Sequence, residues 1–88
     1  MNWNKVLQGY CLDINDDIRI CVCNYLGYEK EWFVTCHEIG INKESLKCED
    51  LEEAKNKAVD YTLKTLLDKI NYFRSIHETL YSNIDNIN

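Results

Sequence analysis

The 88-residue chain contains no proline, only three glycines and a single methionine, and it has no long uninterrupted apolar run. A membrane-spanning helix needs about 18 or more consecutive apolar residues, so we expect no association with a membrane. Residues 1–5 lack the basic region and apolar stretch of a signal peptide, which predicts a cytoplasmic protein. Linkers, repeats and low-complexity stretches are also missing, and residues 1–88 are therefore expected to form a single domain.

Basic residues are in the minority, because ten lysines and arginines stand against fifteen acids and leave a net charge of −5. Direct binding of nucleic acid is disfavoured, since phosphate neutralisation needs a basic patch. An acidic surface suits a basic protein partner, although it is also ordinary for a small protein. Hydrophobic residues make up 45% and aromatic residues 11%, which is enough for a folded core.

Three alternating or β-branched segments, residues 9–14, 18–26 and 31–39, predict β-strands. Turn-forming residues separate them at 15–17 and 27–30. Short turns imply antiparallel neighbours, so we expect a three-stranded β-meander. Because a long helix follows, the predicted fold class is α+β with the order βββα.

The register of the two hairpins follows from side chains that would match across the strands. Placing Ile14 opposite Ile18 pairs Asp13 with Arg19 and Cys11 with Cys21. Placing Leu26 opposite Glu31 gives three further predicted pairs, which are Tyr25–Trp32, Cys21–Cys36 and Arg19–Glu38. Cross-strand pairs of this kind stabilise a sheet by roughly 0.2–1 kcal/mol each.

The two faces of this predicted sheet differ in character. One face is apolar and is expected to pack under the helix; it carries Tyr10, Leu12, Ile14, Ile18, Ile20, Val22, Leu26, Phe33 and Ile39. The other face combines aromatic, thiol and charged side chains, the usual anatomy of a protein-binding surface. Its predicted partner-binding residues are Arg19, Cys21, Cys23, Tyr25, Trp32, Val34 and Glu38. In the alternative, Trp32 packs against residues 1–8.

A capping box at Asp50 and Glu53 opens a helix that the apolar spacing extends from Leu51 to about Ser82. That helix would be roughly 48 Å long, whereas a strand of seven residues spans only about 23 Å. Either the helix breaks near Asn71, or its second half projects and packs against a partner or a second copy. The projecting alternative favours a homodimer, with oligomerisation residues Ile70, Phe73, Ile76, His77, Leu80, Tyr81 and Ile84.

The five cysteines offer several chemical interpretations. In a reducing compartment we expect free thiols that pack as small hydrophobes. A zinc site would need four converging ligands, but the sulfurs of Cys21 and Cys23 on one strand would lie about 6–7 Å apart, and His37 would point to the opposite face from Cys36. A Cys21–Cys36 disulfide and a reactive Cys48 near the helix N-terminus are further alternatives. We expect no bound metal and no cofactor.

Sequence features of an enzyme are also missing. The pair Asp16–Asp17 suits a turn, and the pair Glu52–Glu53 suits the first turn of a helix, where the helix dipole favours acids. There is no glycine-rich phosphate loop and no HExxH motif. The sequence therefore predicts a non-enzymatic protein with no catalytic residues.

A strand-rich start followed by the helix Asp-Leu-Glu-Glu-Ala-Lys at residues 50–55, in a short acidic chain, resembles small phage and mobile-element proteins of the anti-CRISPR kind. The resemblance covers the overall plan. It implies an inhibitor that acts in the host cytoplasm by binding a basic nucleic-acid-handling enzyme. From the residues and the resemblance together we expect a protein-binding domain. The alternative is an assembly subunit that homo-oligomerises through its C-terminal helix.

Overall fold

The structure, a computed structural model, describes residues 1–87. Within these residues it contains a five-stranded antiparallel sheet in the order β1-β2-β3-β4-β5, followed by one long α-helix. The predicted α+β class and the long C-terminal helix are confirmed, but the prediction of three strands was wrong. The elements are β1 Trp3–Val6, β2 Gly9–Asp13, β3 Arg19–Cys23, β4 Phe33–Cys36, β5 Ile41–Ser45 and α1 Leu51–Ser82, with short 3-10 turns at His37–Ile39 and Ile84–Asn86.

β1 is an edge strand that the sequence did not reveal. It pairs antiparallel with β2, from Trp3 opposite Leu12 to Val6 opposite Gly9, around a tight turn at residues 7–8. Gly9 is required here, because a Cβ at this position would overlap the carbonyl oxygen of Val22. A glycine at this position therefore allows β2 and β3 to approach closely at Gly9 and Val22.

The hairpin of β2 and β3 has the predicted register. Cys11 lies opposite Cys21, and Asp13 lies opposite Arg19. The turn between the strands is closed by Asn15, whose Oδ1 accepts hydrogen bonds from the backbone N–H groups of Asp17 and Ile18 at 2.8 and 2.9 Å. An asparagine that bonds to the backbone two and three residues onward is typical of such turns.

The hairpin of β3 and β4 is shifted by one residue from the predicted register. Val34 lies opposite Val22, and Cys21 lies opposite Thr35 rather than Cys36. Both strands are also shorter than predicted, and an irregular loop joins Cys23 to Phe33. Asn24 organises this loop, because its Nδ2 lies within 3.2 Å of three backbone carbonyls, those of Tyr28, Glu29 and Glu31.

The one-residue shift exchanges the faces of β4, since side chains alternate along a strand. Val34 and Cys36 are fully buried on the side of the helix, whereas Phe33 and Thr35 lie on the opposite side beside Cys23 and Cys21. The predicted position of Phe33 under the helix was therefore wrong. Leu26, also predicted there, is 94% exposed in the loop.

The hydrophobic core lies between one face of the sheet and the first three turns of α1. The helix contributes small side chains, Ala54, Ala58 and Thr62, which let its backbone approach β3 and β4 closely. The sheet and the segment before the helix contribute Leu12, Ile20, Val22, Val34, Cys36, Ile41, Leu46 and Cys48.

The helix begins and ends close to the predicted residues. Asp50 is its N-cap, and its side chain accepts a hydrogen bond from the backbone N–H of Glu53 at 2.8 Å. The helix is continuous over 32 residues, so it does not break at Asn71. From Leu66 onward all of its residues are exposed. The second half of α1 therefore projects beyond the sheet, and the molecule measures 55 × 26 × 19 Å along its principal axes.

Candidate interaction surfaces

The projecting half of α1, together with the 3-10 turn Ile84–Asn86 and Ile87 after it, carries an apolar stripe that is interrupted by His77. Leu63, Leu66, Ile70, Phe73, His77, Leu80, Ile84 and Ile87 follow one another at alternating spacings of three and four residues, and we call this set the seam. Its members are exposed, among them Phe73 at 61% and Leu80 at 55%. A three-four spacing is the pattern of helices that pack side by side as coiled coils.

The predicted oligomerisation residues all lie on or beside this seam. Ile76 and Tyr81 flank it, and the His77 ring stacks on Tyr81 at 6.3 Å between centroids. Near the end of the chain, His77, Leu80, Tyr81, Ile84 and Ile87 surround a shared depression. We call Leu80, Ile84 and Ile87 the tip.

A second apolar surface lies where the helix leaves the sheet. It is a groove of about 230 Å³ between the ends of β2 and β3 and the middle of α1, and we call it the apolar groove. Leu63 and Leu66 of the seam form its helix wall, while Ile14 and Ile18 form part of its sheet wall. The seam and the apolar groove are therefore one continuous apolar surface.

The face of the sheet opposite the helix forms a third surface, which we call the outer groove. It has a volume of about 260 Å³ and is lined by Arg19, Cys21, Cys23, Tyr25, Thr35, His37, Glu38, Asn42 and Lys43. At one end Lys43 Nζ lies 5.4 Å from the centre of the Tyr25 ring, a cation–π geometry. At the other end Arg19 Nε pairs with Asp13 Oδ1 at 2.7 Å.

Hydrogen bonds and burial shape this outer groove. The backbone N–H of Arg19 donates to Glu38 Oε1 at 3.1 Å, and the backbone N–H of Lys43 donates to Thr35 Oγ1 at 3.1 Å. Tyr25 packs on Phe33 with ring centroids 5.4 Å apart. Burial, and next the neighbouring Cys23 thiol, raises the pKa of the Tyr25 hydroxyl, so this group stays a neutral hydrogen-bonding group near pH 7.

The structure brings together five of the seven predicted partner-binding residues, because Arg19, Cys21, Cys23, Tyr25 and Glu38 all line the outer groove. Val34 and Trp32 do not belong to it. Val34 is fully buried in the core, and Trp32 packs against that core on the helix side. Trp32 also lines a surface depression with residues 5–10, which is close to the alternative of packing against the N-terminal segment.

Sequence reasoning missed Thr35, His37, Asn42 and Lys43 in the outer groove. Thr35 lies beside Cys21 on the outer face only because of the observed register of β3 and β4, which differs by one residue from the predicted one. Asn42 and Lys43 belong to β5, which was not predicted because the chain was expected to leave the sheet at Gly40. The signal that could have revealed β5 is weak, namely the apolar positions Ile41 and Leu46 that bracket four polar residues.

The cysteines divide into two groups. Cys11 and Cys21, directly opposite on β2 and β3, form a disulfide, so the expectation of free thiols was wrong for these two and the Cys21–Cys36 pairing was wrong. Cys23, Cys36 and Cys48 are free. Cys48 packs in the hydrophobic core, and burial raises the pKa of its thiol above the ordinary value.

Within residues 1–87, no group of three or more His, Cys, Asp and Glu side chains is arranged to hold a metal ion. Cys36 points into the core and is separated from Cys21 and Cys23 by the sheet, since Val34 and Cys36 share the helix side.

In the part of the chain that the structure describes, none of the helices is long and apolar enough to cross a membrane.

Together the fold and its surfaces define a small α+β domain with one continuous exposed apolar surface, formed by the seam and the apolar groove, and a mixed polar groove on the opposite face of the sheet. Comparisons with protein-family models, with curated proteins and with solved structures found no match to this chain.

Proposed function

We propose that the protein is a non-enzymatic protein-interaction domain that assembles with a second copy of itself through the projecting half of α1. The observation that carries the proposal is the seam, an exposed apolar stripe on an unbroken helix that extends beyond its own sheet. Monomeric soluble proteins rarely expose a contiguous apolar surface of this length, and such surfaces mark interaction sites.

Helix geometry supports the same proposal. In the buried half, α1 uses small residues, Ala54 and Ala58, to pack closely on the sheet. In the projecting half, the apolar positions are instead occupied by large residues such as Ile70 and Phe73. Large apolar side chains on a solvent-facing stripe cost solubility, and they stabilise the protein only when another surface covers them.

The experiment uses the full chain and two double variants. Phe73→Asp with Leu80→Asp places two charges in the seam, whereas Asn71→Asp with Ser75→Asp places the same charges on the opposite side of the helix. Light scattering is expected to give about twice the chain mass of 10.4 kDa for the wild type and the control, and the single chain mass for the seam variant. Circular dichroism should show that all three keep the helix. A wild-type protein that is still monomeric at roughly tens of micromolar, toward the weak end of protein–protein affinities, would overturn the proposal.

The outer groove supports a second binding role for the assembled protein. In this groove the ring of Tyr25 lies under Lys43 and its hydroxyl stays neutral near pH 7, while at the other end Arg19 forms an exposed ion pair with Asp13. Aromatic anchors surrounded by polar groups are typical of protein-binding surfaces. Inhibition of a basic nucleic-acid-handling enzyme, as implied by the anti-CRISPR resemblance, stays a prediction for this groove. Substitution Tyr25→Ala with Lys43→Ala should abolish binding of such a partner while leaving the oligomeric mass unchanged.

A further inference from the structure

The tip and the apolar groove lie at opposite ends of the seam. The groove is formed where Leu63 and Leu66 face the ends of β2 and β3. Ile84, at the tip, lies 21 residues further along, roughly 31 Å away at 1.5 Å per residue. Within one molecule the rigid helix keeps these two apolar surfaces apart, so neither can cover the other.

We propose that two copies of the chain pack antiparallel along their seams, so that the tip of each copy is seated in the apolar groove of the other. This inference rests on the proposed function, because it presupposes that the seam binds a second copy. It adds the orientation of the helices and the occupant of the apolar groove.

The spacing of the seam fits an antiparallel arrangement. When Ile70 of one copy faces Leu80 of the other, every remaining seam residue also meets a seam residue. The resulting layers are Leu63 with Ile87, Leu66 with Ile84, Ile70 with Leu80, and Phe73 with His77, each formed twice by the two-fold symmetry. The first two layers lie at the apolar groove, since Leu63 and Leu66 line it. A symmetric interface of this kind closes on itself as a dimer.

Charge favours the same orientation. Residues 63–72 carry two lysines and one aspartate, a net charge of +1, whereas residues 75–87 carry Glu78 and Asp85, a net charge of −2. An antiparallel pair places each basic half beside an acidic half. A parallel pair would place like halves together, so the basic half of each copy would lie beside the basic half of the other. Complementary charge of this kind sets orientation and suppresses the wrong arrangement.

The buried area also favours the antiparallel arrangement. Stable protein–protein interfaces bury about 1,200 Å² or more in total, so a dimer gains from every apolar surface that it covers in addition to the seam. Seating the two tips in the two grooves adds the sheet walls formed by Ile14 and Ile18, of which Ile14 is 39% exposed. A parallel pair leaves both grooves uncovered, so it buries less.

Disulfide trapping of the full chain distinguishes the two orientations. Arg74 lies near the two-fold axis of the antiparallel pair, so Arg74→Cys should form a covalent dimer under mild oxidation. Leu80 residues of an antiparallel pair are separated by about 15 Å along the helix axis at 1.5 Å per residue, so Leu80→Cys should cross-link no faster than wild type. Wild-type protein is oxidised in parallel, and it shows how much covalent dimer the native cysteines form without an introduced one. Rapid cross-linking of Leu80→Cys and not of Arg74→Cys would overturn the antiparallel orientation.

The occupancy of the apolar groove is tested separately by its sheet wall. Ile14→Asn is expected to raise the dissociation constant of the dimer about tenfold or more, because the tip of the second copy loses an apolar contact. Leu7→Asn is the matched control, since Leu7 is 99% exposed in the turn after β1 and should leave the constant unchanged. Equal dissociation constants for both variants would overturn the seating of the tip. If the wild type is a dimer but the cross-linking or the Ile14→Asn result contradicts the antiparallel arrangement, the proposed function still stands. A monomeric wild type would overturn both the proposed function and the antiparallel arrangement.

Discussion

The indole Nε1 of Trp32 donates a hydrogen bond to the backbone carbonyl of Glu49 at 2.8 Å. The backbone N–H of Trp32 also donates to the carbonyl of Cys48, and the carbonyl of Trp32 accepts from the N–H of Leu46. One residue thereby fixes the chain segment that leads into α1. The position of the helix on the sheet depends on this segment, because the capping residue Asp50 follows at once.

Replacing Trp32 by phenylalanine should lower the free energy of unfolding by about 1 kcal/mol, since the ring remains and one hydrogen bond is lost. Urea denaturation measures the change. Trp3→Phe is the matched control, because the Trp3 ring contacts Lys55 Nζ through its face at 6.0 Å. We expect the control to lose clearly less stability. A larger loss in the control would show that indole volume, and not the bond to Glu49, explains the effect.

Much of this fold could be predicted from local signals. The capping residue and the apolar spacing located the helix, and the Asn-Asp-Asp turn with its flanking alternation fixed the register of β2 and β3. β1 was missed because its apolar residues Trp3 and Val6 do not alternate, and because Leu7 and Gln8 carry no turn signal. β5 was missed because it is a polar edge strand with a register shift against β4 and a positive φ at Lys43.

The register of β3 and β4 could not be predicted because the two candidate registers differ in long-range packing. The predicted one rested on cross-strand pairs worth roughly 0.2–1 kcal/mol each. The observed one buries Val34 and Cys36 completely under the helix and leaves the bulkier Phe33 on the outer face, where it packs on Tyr25. The loop around Asn24, which joins β3 to β4, accommodates the one-residue difference between the two registers. This single residue of register decided which predicted partner-binding residues share the outer groove.

Substitutions on β4 therefore distinguish its two faces. Val34→Asp should unfold the protein, because it places a charge in a site that excludes water completely. Thr35→Asp, one residue away on the outer face, should leave the fold intact. Circular dichroism with thermal unfolding measures both. A folded Val34→Asp together with an unfolded Thr35→Asp would contradict the observed register.

Asp50 should contribute to stability through its cap on α1. Asp50→Ala removes the acceptor of the Glu53 N–H and is expected to cost about 1 kcal/mol. Asp50→Asn keeps an acceptor oxygen and serves as the matched control, with a loss of a few tenths of a kcal/mol at most. Chemical denaturation of both variants measures the difference. Equal losses would mean that the charge near the helix dipole, rather than the hydrogen bond, is what stabilises this end.

Stability should fall as the pH rises above about 9, because Cys36 and Cys48 are buried thiols. Burial raises the pKa of both thiols above the ordinary value of 9.0. Above that value the unfolded chain releases protons that the folded chain retains, so ionisation stabilises the unfolded state. The loss begins near the ordinary thiol pKa and continues until the pH reaches the raised pKa of the folded protein.

Denaturation midpoints measured between pH 7 and pH 10 test this expectation. Cys36→Ala should be less stable than wild type by about 1 kcal/mol at pH 7, since a small cavity replaces the sulfur. The variant should nevertheless lose less stability than wild type on going to pH 10, so the two curves converge. Cys23→Ala, which removes a partly exposed thiol outside the core, is the control. If the midpoints of wild type and Cys36→Ala fall in parallel as the pH rises, the Cys36 thiol does not cause the loss of stability at alkaline pH. That loss would then come from other groups that titrate in this range, such as the tyrosines and lysines.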